Sequence, residues 1–474
     1  MTSLITPTLV KVEPPSGFNW PFMAYPLNIY RNGTQYGAQI STDFVPEKYI
    51  NANCYLKVYD VSIATGNDSN TGIGLYPGQF SSATAVKSIN QAITLGNATN
   101  APYMVVVQSG IYPRANGFMG NASSIAPTQD TAFFAVGGTV VTGAFDALTW
   151  TLTTGTTYQA TRSSVMRVVD LLNNTGFGGH VDLTLAASLT ACEATPGTWY
   201  DNGTTLYVNR ADGAAVTNTN TRAYLSAQVL TLINTTGNIY LKGFALEGGA
   251  ISSFYSEPTT VRAGNSILSN CTFGYSGTIG VGGTPVVAVN NVNGLAAFVN
   301  CTAYSGVDDA FNFHWNLTAG PATLYPLTIN CTANGMGLGP TSTASSVNGL
   351  TWHDGIIGID IGGDYEYNFG GNVATILGVS TTRATQCWCV GTKAAMSRGD
   401  IPLQVSNAQP PRDYWMDGMV GGVPCQMWLD GCLAGSSTSD SNAAQSLCAT
   451  TSAVIYTRNV VNASGTSSGT ISSY

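Results

Sequence analysis

The sequence predicts an all-β solenoid in which parallel strands are stacked coil upon coil. The tripeptide Asn-Cys-Thr begins at positions 270, 300 and 330, so it recurs at a constant interval of 30 residues. A period of about 20 to 50 residues is typical of stacked repeat architectures. Small and apolar residues alternate with polar ones around each copy, which indicates a strand with one buried face. Only 9% of the residues are charged and 54 are glycines, as expected for short strands joined by frequent turns.

The repeated asparagine fits a bend directly after a strand. A short polar side chain at such a bend bonds to neighbouring backbone and tolerates left-handed geometry. Asn-Cys-Thr is also an acceptor sequence for glycosylation, but its constant period favours a structural cause. The cysteine of each copy would then belong to a ladder of small buried side chains. The ten cysteines include no CxxC pair of the kind that structural zinc sites use, so we expect reduced thiols.

The charge and the apolar runs of the sequence argue against nucleic acids and membranes as partners. The net charge is −8 and no basic cluster stands out, so we expect no nucleic acid partner. No apolar run approaches the roughly 20 residues of a membrane span, so we expect no membrane insertion. Residues 1–7 lack the pattern of a secretory signal peptide, which predicts folding in a cytoplasm unless a signal has been removed. We expect no cofactor and no metal.

The chain divides into three segments. Residues 1–55 are rich in proline and aromatic residues and predict an extended arm. This arm would attach the protein to a particle or to other subunits, or it would strap its own solenoid. Residues 56–433 form the solenoid, with a hairpin insertion near 195–210 because Asn-Gly separates two apolar stretches there. Residues 434–474 form a Ser/Thr/Gly-rich C-terminal segment that is poorly ordered or intertwined with other subunits.

The start of the solenoid carries a family resemblance. A strand over 59–62 leads into a Gly/Asn/Asp turn over 66–72, a short helix over about 84–95, and an apolar strand over 105–112 that ends in Gly-Ile-Tyr. This order resembles the start of right-handed parallel β-helix proteins, the pectate-lyase-like enzymes and the bacteriophage tailspikes. The resemblance implies a right-handed parallel β-helix whose helix caps the open end of the sheets. It also implies a homotrimer, as in tailspikes.

Two of the three histidines share a strand context. Residues 309–314, Asp-Ala-Phe-Asn-Phe-His, align with residues 348–353, Asn-Gly-Leu-Thr-Trp-His. The aromatic and aliphatic residues of both strands would face the core, so His314 and His353 should be outward neighbours on adjacent coils. The first strand is similar to an Asp-Gly-Phe-Asn-Tyr-His-like strand of phage and bacterial β-helix proteins, with Ala310 where glycine is usual. Six of the chain's 25 acidic residues fall between 308 and 366.

These residues predict a carbohydrate site on a lateral face. A carboxylate pair can hydrolyse a glycosidic bond, and a histidine can act as the base of a lyase. Scarce basic residues favour a hydrolase over a lyase. The alternative is a polar patch that only orders a turn. The candidate catalytic residues are Asp308, Asp309, His314, His353, Asp354 and Asp360, and the candidate substrate-binding residues are Tyr304, Asn312, Trp315, Asp364, Tyr365, Glu366 and Tyr367.

The resulting hypothesis is a bacteriophage virion spike or tail-fibre protein that binds, and in an enzymatic form cleaves, host surface polysaccharide. Such a protein is assembled in the host cytoplasm and contacts other virion proteins through its N-terminal arm. One alternative is a free bacterial polysaccharide hydrolase or lyase. Another is a purely structural head or tail decoration of the virion.

Overall fold

Three parallel sheets, which successive coils build side by side, enclose one elongated core. The computed structural model describes residues 9–74, 80–118, 126–227, 229–231, 237–256, 261–277, 285–315, 323–337, 347–377, 383–397, 411–435, 445–462 and 467–474. A central coil passes through the first, second and third sheets in turn and then returns to the first. The fold is therefore an all-β parallel β-helix, as the sequence predicts.

The first sheet is the longest, and its strands pair in parallel from one end of the solenoid to the other. Arg262–Ala263 adds a short parallel pairing beside it. In order, the strands of the first sheet are Val58–Val61, Tyr103–Tyr112, Thr131–Gly143, Ile239–Lys242, Ser266–Ser269, Val292–Val299, Leu324–Ile329, Ile357–Ile361, Gln386–Val390, Gln426–Asp430, Val454–Arg458 and Thr470–Ser473.

The second and third sheets complete each coil. The second begins with the ends of the two long strands that start in the first sheet. It continues with Phe244–Glu247, Thr272–Gly274, Thr302–Tyr304, Thr332–Asn334, Asp364–Glu366, Lys393–Ala395, Leu433–Ala434 and Val461–Asn462. The third sheet comprises Leu230–Thr231, Phe254–Ser256, Val287–Asn290, Phe311–His314, Leu350–His353, Gly371–Ile376, Arg412–Asp417, Gln445–Thr450 and Ser467–Ser468.

The Asn-Cys-Thr motifs form the bend between the first and second sheets. Asn270, Asn300 and Asn330 have φ values of 51°, 51° and 50°, which is the left-handed geometry that asparagine tolerates. The Nδ2 of each later asparagine donates to the Oδ1 of the one before it, at 3.2 Å in both pairs. The cysteine of each motif is buried. Because equivalent residues stack on successive coils, the three asparagines form a ladder of hydrogen bonds on the outside and the three cysteines form a ladder of buried thiols on the inside.

The predicted capping helix is present and spans Ile89–Asn97. One side of it is buried against the first coil, where Gly96 leaves room for the ring of Tyr103. The helix starts later than predicted because Val86 bridges the backbone of Asp60 and Ser62 instead. No helix within the described ranges is long and apolar enough to span a membrane. The remaining helices are Leu189–Ala194 and the 3-10 turns Pro46–Tyr49, Ala52–Leu56 and Arg114–Asn116.

An antiparallel insertion follows the strand Thr131–Gly143. It contains the predicted hairpin, in which Trp199 pairs with Val208, but it is larger than predicted. Buried Arg167 fastens it to the coils by donating to the carbonyl of Ser305. One sheet holds Thr184–Leu185, Thr198–Asp201, Thr205–Asn209, Thr157–Thr161 and Thr151–Thr154, and the other holds His180–Asp182, Val165–Asn174 and Thr221–Leu225.

The N-terminal arm lies along the outer surface of the first sheet. Phe18 meets the rings of Trp388 and Trp428 edge-on, each at 5.7 Å between centroids. Near its start the arm contacts a late coil, where Arg458 donates to the carbonyl of Glu13. Near its end the arm contacts an early coil, where Lys242 donates to the carboxylate of Glu47. The described part of the arm therefore straps its own solenoid, and residues 1–8 lie outside the described residues. Its strands are Val10–Val12, Ile29–Arg31 and Ile40–Thr42.

The solenoid does not end at residue 433, where the sequence analysis placed a boundary. Gln445–Thr450, Val454–Arg458 and Thr470–Ser473 continue the third and first sheets in parallel register. Residues 436–444 and 463–466 lie outside the described residues. The low hydrophobicity of the segment reflects its small side chains, which still alternate between inside and outside. A two-stranded turn, Met419–Val420 with Val423–Pro424, projects from one of these late coils.

Candidate functional site

The position of the two histidines follows from the packing of their strands. Phe311 and Phe313 are fully buried, as are Leu350 and Trp352 on the next coil. Because side chains alternate along a strand, the residues between and after them face outward. The pairing of Phe313 with Trp352 places His314 beside His353. The predicted arrangement of the two imidazoles as outward neighbours is thus what the structure shows.

The imidazoles form a close pair backed by a buried carboxylate. The ring centroids of His314 and His353 are 4.6 Å apart with an interplanar angle of 49°. The Nε2 of His314 lies 2.5 Å from Oδ2 of Asp354, whose side chain is fully buried while that of His314 is 26% exposed. Asp354 adopts a left-handed φ of 53°, which ends its strand and turns the carboxylate back towards His314. A partly exposed imidazole therefore rests on an anchored carboxylate.

A second hydrogen-bond network lies behind His353. The Nδ2 of Asn312 is 3.3 Å from Nε2 of His353 and donates to Oδ2 of Asp309 at 2.9 Å. The same Asp309 oxygen accepts from the hydroxyl of Thr351 at 2.6 Å. Its other oxygen accepts from the backbone N–H of Asn348 at 2.7 Å. Asp309 thus holds both the amide and the hydroxyl that flank the histidine, as a positioning residue.

Burial sets the protonation of this network. Loss of water raises the pKa of Asp309 above its ordinary value, although four hydrogen-bond donors oppose the rise. Burial, followed by the neighbouring His314, lowers the pKa of His353 to about 3, and Asp354 only partly offsets this. His353 is therefore neutral at physiological pH. A neutral imidazole can accept the hydrogen bond that Asn312 offers to Nε2.

All four predicted catalytic carboxylates are buried, and two of them, Asp360 and Asp308, have structural roles. Asp360 is fully buried and accepts from Thr328 at 2.6 Å, from the hydroxyl of Tyr365 at 2.8 Å and from Thr392. The expectation that it lies on the outer face is wrong, because its strand neighbours face the arm and the alternation turns Asp360 inward. Asp308 is 8% exposed and accepts from the N–H of Asp309 at 2.9 Å, so it shapes the turn before the strand.

The predicted aromatic platform is not present at the histidines. Trp315 and Tyr365 belong to the solenoid core, and Tyr304 is covered by the ring of Tyr275 at 5.3 Å. These expectations are wrong because each ring completes the packing where a coil turns or meets the insertion. Tyr367 lies beside Phe177 of the insertion, with centroids 5.2 Å apart. Of the predicted substrate-binding residues, only Asn312 adjoins the histidine pair.

Asp364 and Glu366 lie on the second sheet, away from the third-sheet strands that carry the histidines. Both carboxylates pair with Lys393, at 3.9 Å and 2.7 Å respectively. An ion-paired row of this kind is typical of a solvated lateral face. These two residues are therefore separated from the candidate site by the bend between the sheets.

Sequence reasoning missed one member of the histidine row. Asn290 is the parallel neighbour of His314 on the preceding coil. It is 6% exposed, and within the described part of the chain its Oδ1 has no hydrogen-bond partner. The signal was available, since Asn290 follows two buried valines spaced two apart, as His314 follows two phenylalanines. The outward row therefore reads Asn290, His314, His353 across three coils.

A separate cleft of about 700 Å³ lies between the solenoid and the insertion. Arg114 and Arg162 both pair with Asp146 in it, at 3.2 Å in each case. Threonine and glutamine side chains supply most of the other polar lining. None of the lining residues belongs to the histidine row, so the cleft is distinct from the candidate site.

Comparison with known proteins identifies no family for this chain. No protein-family model matches the sequence, and neither does any protein in a search of curated sequences. Among solved structures, a glycoside hydrolase has 8% identity and a TM-score of 0.38, covering 88% of this chain and 96% of its own. Pectate lyase Pel9A has 12% identity and a TM-score of 0.39, covering 88% of this chain and 85% of its own. A complex of XylC with xylose has 11% identity and a TM-score of 0.33, covering 85% and 70%.

At these identities and scores the likenesses carry no information about activity. What this chain is follows from its own strand pairing. Parallel register runs through three sheets from the capping helix to the last strand. The protein is an all-β parallel β-helix.

Proposed function

We propose that this protein is a bacteriophage spike or tail-fibre subunit that engages polysaccharide of the host surface through its third sheet. The observation that carries the proposal is the row on that sheet. His314 and Asn312 are partly exposed, while the carboxylates that hold them are buried. Donors and acceptors fixed on rigid strands suit the hydroxyl groups of a saccharide. An extended lateral face also suits a polymer better than a small molecule.

The chemistry that the site supports best is that of an imidazole. Hydrolysis by two carboxylates requires both to reach the glycosidic bond from a groove. Among the described residues of this row, Asp309 is buried and accepts hydrogen bonds, and Asp354 is buried against His314. His314 is accessible and its Nε2 contacts a carboxylate, which is an arrangement that can move a proton. If cleavage occurs, we therefore expect base chemistry at His314 in place of the hydrolysis that the sequence favours.

The virion setting is supported by two features of the first 112 residues. The strand, turn, capping helix and strand over 59–112 resemble the start of tailspikes, and the protein has each of these elements. A proline-rich arm precedes them. The arm is docked on its own coils. This observation favours the second candidate, a free bacterial polysaccharide lyase, because an arm that packs on its own chain is not available to attach the protein to a particle.

A binding and release assay on polysaccharides from candidate host bacteria tests the proposal. The wild-type protein should bind at least one polymer, and His314→Ala and Asn312→Ala should each weaken binding by about tenfold or more. Asp364→Asn is the matched control, since it removes a 43% exposed carboxylate from the second sheet. New ultraviolet absorbance together with new reducing ends would identify a lyase, and reducing ends alone a hydrolase.

Equal binding by wild type and by both site variants would contradict this location of the site. Failure to bind across a broad panel would contradict the saccharide function. In that case the structural virion hypothesis would remain.

A further inference from the structure

The histidine row contains more donor atoms than the proposed sugar contact uses. One ring nitrogen each of His314 and His353 and one carboxylate oxygen of Asp354 all lie within 4.8 Å of one another. Two imidazoles and one carboxylate form a familiar ligand set for zinc and other first-row divalent cations. The expectation of no metal rested largely on the spacing of cysteines, and this cluster contains none.

We infer that His314, His353 and Asp354 form a binding site for a divalent transition-metal cation, with zinc as the reference ion. The use of this site on a polysaccharide rests on the proposed function, but metal binding itself does not. When His314 binds the cation it is not available as a base, so the metal-bound form is an alternative to base chemistry at His314. Three protein ligands leave one position of a tetrahedral zinc ion open. An oxygen of a saccharide or water can occupy that position. The sparse positive charge of the chain makes such a cation a natural partner for an anionic sugar.

The distances show how far the ligands must move to admit a metal ion. His314 Nε2 and Asp354 Oδ2 are 2.5 Å apart. Two ligands at about 2.1 Å from a tetrahedral ion are separated by about 3.4 Å. The pair must therefore open by roughly 1 Å. His314 can supply this movement because its side chain is partly exposed, whereas Asp354 is fixed at a left-handed bend.

The surroundings supply the orientation that metal ligands require. Asn312, held by Asp309, lies 3.3 Å from a ring nitrogen of His353 and fixes that ring from behind. Asn290 provides an independent indication of a ligand. Its buried Oδ1 has no partner among the described residues, and it is the strand neighbour of His314. A buried amide oxygen is costly when unpaired, and a metal-bound water would satisfy it.

Metal titration of the full-length chain tests this site without any polysaccharide. After chelation and buffer exchange, zinc binding is measured by calorimetry, and the metal content by mass spectrometry. We expect one zinc ion per chain. His314→Ala and His353→Ala should each weaken zinc binding by about 100-fold or more. Losing a residue that only hydrogen-bonds a metal ligand costs about 10- to 100-fold in affinity, and losing the ligand itself should cost more. His180→Ala is the control, since the third histidine lies on the insertion, and should change affinity by less than about twofold.

The ten buried thiols require a second readout. Cobalt substituted for zinc should show visible bands without the charge-transfer absorption of a thiolate ligand. Circular dichroism and thermal melting of each metal-free variant would confirm that it is folded. Asp354→Asn keeps a side chain that can hydrogen-bond His314, and it should still weaken zinc binding. Binding that survives both histidine substitutions, or absence of binding in the folded wild type, would overturn the inference. Polysaccharide binding by a protein that binds no metal would leave the proposed function intact.

Discussion

At the scale of single residues, the aspartates of this protein divide by the direction in which their strands point them. Asp354 turns towards the partly exposed imidazole of His314, at 2.5 Å. Asp360 points into the core and is saturated by hydroxyl donors. Asp413 is also fully buried, and one of its oxygens accepts from Asn372 at 3.0 Å and from the N–H of Ser397 at 3.2 Å. The same type of side chain thus either contacts the candidate site or accepts hydrogen bonds inside the solenoid.

Asp413 makes the stability of the solenoid depend on pH. Burial raises its pKa from 3.8 to about 7, against the effect of its hydrogen bonds. The folded state then holds a proton that the unfolded state has released, so the free energy of unfolding falls as pH rises from about 4 to about 7. Asp413→Asn should remove this dependence and stabilise the protein at pH 8 by on the order of 2–4 kcal/mol.

Urea-induced unfolding at pH 4.5 and at pH 8 measures the effect. The midpoint of Asp413→Asn should shift less between the two conditions than that of the wild type. Glu13→Gln, at an exposed carboxylate of the arm, should behave like the wild type. An unchanged pH dependence in Asp413→Asn would show that this carboxyl is ionised in the folded protein.

At the scale of elements, the arm is held by a few aromatic anchors. Phe18 is 8% exposed and sits at the edges of two tryptophans of adjacent coils. Trp20 meets Tyr325 in the same manner at 5.8 Å. Met23 lies between these anchors and the strand Ile29–Arg31 of the arm, and its side chain is 98% exposed. The arm therefore provides both a test substitution and its control within a few residues.

Phe18→Ala should lower the free energy of unfolding by about 3–5 kcal/mol if the arm unfolds together with the coils. Met23→Ala should change it by less than about 0.5 kcal/mol, because an exposed side chain loses little contact. Thermal melting followed by circular dichroism, with limited proteolysis of the arm, distinguishes the two. Rapid cleavage of the arm in Phe18→Ala without a change in melting would show that the arm detaches independently of the solenoid.

The elements that the sequence predicts well are those with a free outer face. In the strand Phe311–His314, polar residues alternate with aromatic ones, so both the direction of His314 and its neighbour His353 could be predicted. Asp360 in the strand Ile357–Ile361 was predicted wrongly because the arm covers the outer side of that strand. The isoleucines face the arm, so the polar residue between them faces inward and the usual direction of the alternation is reversed. The left-handed bend at Asp354 was not predicted either, although aspartate tolerates this geometry.

Other misses have causes of the same kind. The insertion was recognised only by its Asn-Gly turn, because its remaining strands lack a repeat. Trp315 and Tyr365 look like sugar-stacking residues in the sequence, yet both fill the core. An aromatic residue near a site is indistinguishable from a core residue until the direction of its strand is known.

At the scale of the whole molecule, the resemblance to tailspikes predicts a homotrimer. Sedimentation equilibrium of the full-length chain should give about three times the chain mass of 49.4 kDa. The expected driving force is the packing of lateral faces against one another, since only 9% of the residues of the chain are charged. A mass of one chain at concentrations of about 10 µM would contradict the trimer, and would favour the free bacterial enzyme over a virion subunit.

The path of the arm has a consequence for the order of events during synthesis. Residue 13 contacts Arg458, and Phe18 contacts Trp428, so the arm rests on coils that leave the ribosome long after it. Coils can stack as they emerge, but the arm has no complete docking surface until these late coils have been made. Throughout that interval its aromatic residues are free to meet another nascent chain on the same message. Closure of the arm thus requires the late coils, and it joins early and late coils of a one-dimensional stack into a single cooperative unit.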